Sequence, residues 1–430
     1  MRHLFKYLNK NLLLKVAGYN SIQILVRIGL GSAMSYILAV FAGATGLGVL
    51  GNLRNFMQGV QTFSVLGLEN GLVRHAASLK KEPQQLRKIY STAWIAGIAI
   101  SVILGITTFF LASVLDNYLI GLETSYAYVF KYLAISLPFY TLFIFIASMM
   151  QGFEWYKRFI SLNIAVNVLV FAVSAWLIYT NQLSGALTGI VIAPIIQCVT
   201  AIVIWYYHRK DLPLFPSITG SFDKNSLKPL LSYSFMALAS AVLIPVVHIL
   251  VRQDLRAVVN DDAAGLWEAI QRVSSYYMLF FTTLISMYVL PKFSKSSDAS
   301  NLKMVSLDFY KTLLLPLAAG LVTIFITRDL IVSILFTEEF EGMLVLFKWQ
   351  LIGDFIKIIT TVLAMWFIAQ NDLKRYLIAE VVSLGTFLIA SYVLVRKYDT
   401  EGIVMAHAIS YLLYFAVLAV LLRKELFKQD

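Results

Sequence analysis

Charge is scarce in this chain. Only 14% of its 430 residues are Asp, Glu, Lys or Arg, where an ordinary soluble protein carries about 25%. Hydrophobic residues make up 59%, and the mean hydropathy is +0.76. A soluble fold of this size could not cover its surface with so few charges, so lipid is the main solvent and the chain is a polytopic membrane protein. Cysteine occurs once, as Cys198 in an apolar run, which excludes a disulfide framework and a cysteine-based metal site. The five histidines (His3, His75, His208, His248, His407) are too scattered for a metal cluster. Long loops are missing as well. The outer loops hold too little chain for a folded domain, so any chemistry must happen between helices.

What is present is a succession of long apolar runs. A bilayer core takes about 20 apolar residues per helix, or ~17–25 with tilt. Twelve segments qualify, at 18–41, 46–72, 89–113, 125–150, 159–180, 184–207, 229–251, 263–290, 309–327, 343–369, 376–395 and 402–422. Lipid forbids unpaired backbone groups, and these runs are too long and continuous for barrel strands, so they are predicted to be helices. The start, Met1 to Val16, sets Leu4, Phe5, Leu8, Leu12 and Leu13 among Lys6, Lys10 and Lys15. That pattern predicts a helix lying on the membrane surface; a cleaved signal peptide fits less well, since no small-residue cleavage pattern precedes the first span.

The cations set the topology. Of the 35 Lys and Arg, 24 fall on the N-terminal side of the membrane, 5 on the other (Arg252, Arg256, Arg328, Arg396, Lys397) and 6 inside spans. Both termini are expected in the cytoplasm by the positive-inside rule. The net charge of +11 is therefore a topology signal and a contact with lipid headgroups, and a nucleic-acid partner is not expected.

The chain also matches itself at half its length. Phe130-Lys131-Tyr132 corresponds to Phe347-Lys348-Trp349, and Lys157-Arg158-Phe159-Ile160 to Lys374-Arg375-Tyr376-Leu377, both at offset 217. Ala44-Thr45-Gly46-Leu47 matches Ala263-Ala264-Gly265-Leu266 at offset 219. Six spans per copy is an even number, so the copies share one orientation and should be related by a pseudo-twofold along the membrane normal. The predicted fold is all-α, with two six-helix bundles: an N-terminal lobe over 1–208, a Pro- and Gly-containing cytoplasmic linker over 209–228, and a C-terminal lobe over 229–430.

Polar stripes run inside the helices. The second span carries Asn52, Arg54, Asn55, Gln58 and Gln61, the tenth Gln350, Asp354, Lys357 and Thr361, and the eighth Glu268, Gln271, Arg272 and Ser275, at helical steps of three and four. Arg27 sits near the middle of the first span. Each mid-membrane charge costs ~2.5–3.5 kcal/mol on insertion scales, so retaining Arg27, Arg54, Arg272, Asp354 and Lys357 requires either a wet cavity or buried pairs. Both readings stand: Glu268 with Arg272 and Asp354 with Lys357 have pairing spacing, whereas three Arg and one Lys against two carboxylates would make a cavity that selects anions. Arg suits phosphate oxygens in particular. Lys131 and Lys348 sit near outer span ends and are expected to snorkel. Pro138, Pro194, Pro245 and Pro316 supply hinges or static kinks.

Phe41-Ala-Gly-Ala-Thr-Gly-Leu-Gly48, followed by Gly51-Asn-Leu-Arg54, resembles the first hairpin of Wzx-type lipid-linked oligosaccharide flippases of the multidrug/oligosaccharidyl-lipid/polysaccharide (MOP) exporter superfamily. Pro83-Gln-Gln-Leu-Arg87, Trp349-Gln-Leu-Ile-Gly-Asp354 with Lys357, and Ile378-Ala-Glu380 are similar to stretches of the enterobacterial common antigen flippases, in order along most of the chain. The resemblance implies a bacterial inner-membrane transporter, not an enzyme, moving an undecaprenyl-pyrophosphate-linked oligosaccharide such as an O-antigen repeat unit by alternating access. It implies no cofactor, with proton or sodium coupling, and as partners a polysaccharide polymerase and a chain-length regulator. Cavity arginines of the related lipid II flippases correspond by helix to Arg27, Arg54 and Arg272. On this reading Arg27, Arg54, Arg272 and Lys357 hold pyrophosphate. Asn52, Asn55, Gln58, Gln61 and Gln350 offer hydrogen bonds to sugar or phosphate. Asp354, Glu69 and Glu380 are candidates for coupling, with solvated structural roles as the competing reading of Glu69 and Glu380. A multidrug/cation antiporter would need an acidic, aromatic-lined cavity, and a polymerase or glycosyltransferase a large outer loop; neither is legible here.

Overall fold

The computed structural model describes residues 12–79, 82–207, 223–294 and 298–427. The regular elements among them are all helical: α1 (Leu12–Ser64), α2 (Glu69–Ser78), α3 (Pro83–Phe110), α4 (Ala112–Leu115), α5 (Ala127–Gly152), α6 (Tyr156–Tyr207), α7 (Lys224–Val258), α8 (Asp261–Leu284), α9 (Leu290–Phe293), α10 (Ala299–Ile326), α11 (Arg328–Leu335), α12 (Phe347–Ala369), α13 (Leu373–Leu421) and α14 (Arg423–Phe427), with π turns after α4 and α8 and a 3-10 stretch over Glu338–Leu346. Nine helices of the described residues are long and apolar enough to cross a membrane. Three of these are interrupted by residues with positive φ, α1 at Gly43, α6 at Gln182 and α13 at Asp399, and each then supplies two crossing segments. The chain is an all-α polytopic membrane protein with the twelve segments its hydropathy predicts.

The duplication is visible in local geometry. Helix α5 ends in a Schellman motif: Phe153 N–H donates to Met149 C=O, Trp155 N–H to Met150 C=O, and Glu154 is left-handed at φ 62. Helix α12 ends identically 217 residues on, with Gln370 N–H on Trp366 C=O, Asp372 N–H on Phe367 C=O, and Asn371 at φ 54. The hairpin that follows breaks at Gln182 in one copy and at Asp399 in the other. In both, a glycine lets the returning segment touch the outgoing backbone. A Cβ at Gly185 would overlap the Leu177 carbonyl, and one at Gly402 would overlap that of Leu394. Lys131 and Lys348 are also alike, each exposed and each over an aromatic ring, Phe109 at 5.6 Å and Trp349 at 5.2 Å.

The chain divides into two compact units, Met1–Ile37 with Leu53–Val242, and Leu38–Asn52 with Leu243–Asp430. This departs from the boundaries at 208 and 229 in two places. Helix α7 begins at Lys224, inside the segment read as linker, and is continuous past the cut at Val242. The segment Leu38–Asn52 belongs with the C-terminal residues because small side chains let backbones meet: a Cβ on Gly265 would overlap the Ala44 carbonyl. In unit 1, a core of Leu68, Leu72, Tyr90, Trp94, Phe145 and Met149 joins α2, α3 and α5. The segment read as a second span over 46–72 is shorter in the structure. It stops at Ser64, and positive φ at Leu66 and Gly67 redirects the chain into the short helix α2. The amphipathic reading of Met1–Val16 lies, over 1–11, outside the described residues, as does 209–222 of the linker.

A side chain at either hairpin glycine should push the two segments apart. Gly185→Val and Gly402→Val are each expected to destabilise the detergent-purified protein by about 1–3 kcal/mol or more, read as a lower thermal unfolding midpoint. Gly385→Ala, which meets nothing within 4 Å, should leave the midpoint near wild type.

Candidate functional site

Hydrocarbon cannot solvate an ion, so every ionisable group inside a span must find its partners in the protein or in a wet cavity. Unit 2 collects such groups in two adjoining knots. The first is built on Arg252 of α7, which is 1% exposed. Its Nη2 donates to Glu268 Oε2 of α8 at 2.9 Å and its Nη1 to Asn52 Oδ1 at 3.1 Å, while the guanidinium lies 4.8 Å from the Trp267 ring centroid. One helical turn on, Arg272 Nε lies 3.3 Å from the other Glu268 oxygen. Two cations thus share one carboxylate. The first turn of α8 and the 3-10 stretch hold the entering segment: Thr45 donates to Asp262 at 2.6 Å, and Glu339 accepts from Ala44 N–H at 3.0 Å, capping the helix that restarts after Gly43.

The second knot is built on Asp354 of α12, which is fully buried. Four side chains donate to its carboxylate. Ser274 reaches Oδ2 at 2.5 Å, Tyr277 bonds the same oxygen, Gln350 Nε2 lies 3.2 Å from both oxygens, and His407 Nε2 lies 3.0 Å from Oδ1. Ser274 and Tyr277 sit one turn apart on α8, and His407 comes from the returning half of α13. Lys357, one turn beyond Asp354, lies 5.4 Å from the Tyr411 ring centroid and within electrostatic reach of Glu380, whose carboxyl has Tyr414 as a hydrogen-bonding partner. Aromatic contacts join the knots: the His248 ring is 5.5 Å from Trp267 and 5.7 Å from Phe387, and Phe387 is 6.5 Å from His407.

The residues singled out in the sequence divide by unit. Arg27, Arg54, Asn55, Gln58, Gln61 and Glu69 are in unit 1; Asn52, Arg272, Gln350, Asp354, Lys357 and Glu380 are in unit 2. Arg27, Arg54 and Gln58 are exposed, and Asn55 and Gln61 are half-buried. Asn52 and Gln350 take another role than sugar contact, since both are fully buried and bonded to Arg252 and Asp354 respectively. Arg272 adopts the pairing reading with Glu268, whereas Lys357 lies against Tyr411. Arg252 corrects the charge placement. The end of the apolar run at residue 251 puts it on the outer surface, but α7 continues to Val258 and buries it. The tenth-span stripe reveals Asp354 but not its imidazole partner, because His407 stands far from the other histidines. The signal for it is the spacing His407, Tyr411, Tyr414, one face of a helix.

Two carboxyls outside the crossing segments titrate abnormally. Burial pushes Glu69, in the first turn of α2, above the usual carboxylate range. Burial also pushes Asp372 up, but hydrogen bonds from the Arg375 amide and guanidinium outweigh it and hold the carboxyl below its usual range.

Residues 13–297, well over half of the chain, match the family described as "Polysaccharide biosynthesis protein". The chain is 26% identical over 406 residues to a lipid III flippase of Escherichia coli (strain K12), covering 94% of this chain and 97% of that protein, and the same figures hold for a lipid III flippase of Shigella flexneri. Among solved structures, it resembles an inward-facing multidrug resistance MATE family transporter of the MOP superfamily, at a TM-score of 0.77 and 12% identity over 95% of this chain and 96% of the other. It also resembles the lipid II flippase MurJ in an inward closed conformation, at 0.71 and 14% over 95% and 87%. At these identities the structural likeness speaks for the fold alone.

Removing one member of the first knot leaves buried charge behind. Glu268→Gln should cost about 3–5 kcal/mol and Asn52→Ala about 1–3 kcal/mol, measured as loss of thermal stability in detergent. Glu69 gives a pH test. A carboxyl whose folded pKa is raised favours the folded state while protonated, and that contribution is lost as pH rises from 4.5 through the raised value. Glu69→Gln should therefore remove a decline in unfolding midpoint that wild type shows between acid and neutral pH.

Proposed function

The chain belongs to the polysaccharide biosynthesis protein family, and from that membership we propose that it is a flippase for a lipid-linked oligosaccharide, a transporter and not an enzyme. The observation that carries this reading is the end-to-end likeness to lipid III flippases. The cargo we assign is an oligosaccharide on undecaprenyl pyrophosphate, an O-antigen repeat unit or a similar polymer building block, passed from the cytoplasmic to the outer leaflet of the bacterial inner membrane. Both termini face the cytoplasm on the cation asymmetry.

The physical task is to carry a doubly charged, sugar-bearing headgroup through hydrocarbon while its polyprenyl tail stays in lipid. Arg27 and Arg54 are the cations suited to it. Both lie within crossing segments of unit 1 and both are exposed, so an anionic headgroup can reach them and be held by charge-assisted hydrogen bonds. Asn55, Gln58 and Gln61 continue the same helix and offer amides to sugar hydroxyls. Arg272 is held by Glu268, and Lys357 lies against Tyr411, so both are already engaged within unit 2 and the headgroup falls to Arg27 and Arg54. Handing the product to a polymerase and chain-length regulator fits this role.

Complementation of a flippase-null strain is the test. Wild type should restore surface polysaccharide, and Arg27→Ala and Arg54→Ala should each lower it about tenfold or more at equal expression, as expected for loss of a hydrogen bond to a charged group. Full rescue by both variants would reject the anion site, and rescue of one saccharide pathway only would identify the cargo class.

A further inference from the structure

Asp354 is the obvious carboxylate for coupling transport to an ion, yet its environment argues that it never needs to change charge. Four donors converge on it: Ser274, Tyr277, Gln350 and His407. A carboxylate so surrounded is kept as the anion. The group beside it that can gain and lose a proton near neutral pH is the imidazole. We propose that His407 is the proton-carrying residue of this transporter and Asp354 its fixed counter-ion.

The protonation site follows from the geometry. An ionised Asp354 only accepts, so the neutral His407 ring carries its hydrogen on Nε2, toward Oδ1 at 3.0 Å. The incoming proton then binds Nδ1, and the neutral hydrogen bond becomes an imidazolium–carboxylate pair. No other bond changes. The charged and titratable groups facing the ring or its partners come from every neighbouring element: His248 and Arg252 from α7; Tyr277, with Glu268 on Arg252 and Arg272 on Glu268, from α8; Asp354 and Lys357 from α12; and Tyr411 from α13 itself, with Glu380 and Tyr414 beyond Lys357. Asp354 and Lys357 cancel, so protonation adds one net positive charge beside a fully buried carboxylate. Such a change alters the packing preference of the helices that enclose it.

Two further observations favour a built site. The ring lies against bare backbone, since a Cβ on Gly353 would overlap His407 Cδ2, so the sequence keeps glycine beside the aspartate to admit the imidazole. The device is also confined to one copy of the duplication. At offset 217, fixed by the matching helix ends and hairpins, Asp354 corresponds to Leu137 and His407 to Ile190.

The proposal rests on the transport reading only for the second of two measurements. First, full-length protein labelled with ring 15N-histidine in lipid nanodiscs should show an imidazole that titrates between about pH 5 and 8. That signal should vanish in His407→Gln, fall by at least one pH unit in midpoint in Asp354→Asn, and shift in Gly353→Ala, which keeps both titratable groups but displaces the ring. Second, in proteoliposomes containing a lipid-linked oligosaccharide, an imposed pH gradient should accelerate flipping several-fold in wild type. The ratio of rates with and without the gradient should fall to one in His407→Gln and Gly353→Ala. An imidazole that stays in one protonation state throughout, or a His407→Gln protein that still responds to the gradient, overturns the proposal. If wild type moves no lipid at all, the transport reading fails, and the imidazole titration still decides the identity of the proton carrier.

Discussion

A bilayer interior penalises unpartnered charge more severely than any other environment a protein meets, and much of this structure is a response to that penalty. Arg252 keeps its charge inside unit 2 because Glu268, Asn52 and the face of Trp267 surround it. Asp354 keeps its charge because four donors do. Neither arrangement stabilises the fold cheaply, since desolvating two ions costs several kcal/mol that their attraction only partly returns. What such knots supply is discreteness: a helix pair tied by a buried ion pair has a few allowed packings rather than a continuum.

The apolar runs make the crossing segments legible in the sequence, and the repeat at offset 217 announces the duplicated architecture that the paired Schellman ends and hairpin breaks display. The polar stripe of the tenth span leads to Asp354 and Gln350, because helical spacing puts them on one face. Three things stay hidden. Arg252 is concealed by the end of an apolar run that the helix itself ignores. His407 is concealed by distance, 53 residues from Asp354 in sequence, since a returning helix brings together what no local pattern connects. Asn52 reads as a substrate contact because it shares a stripe with Arg54, yet the chain between them passes from one compact unit to the other.

The duplication has diverged in chemistry while keeping its backbone. Helix ends, hairpin turns and the lysines over aromatic rings correspond closely between the copies. The positions of the Asp354–His407 pair are Leu137 and Ile190, both apolar, in the first copy. Unit 1 instead keeps its cations exposed at Arg27 and Arg54.

The grouping of Leu38–Asn52 with the C-terminal unit bears on how this protein arose. Arg252 needs Asn52, Thr45 is bound to Asp262 in the first turn of α8, and Ala44 to Glu339 in the 3-10 stretch, so residues 243–430 do not contain every partner their own side chains use. A half-length progenitor with this architecture would have had to borrow that stretch from a sister molecule. With the stretch and its partners on one chain, the polypeptide cannot be divided at its midpoint into two self-sufficient halves.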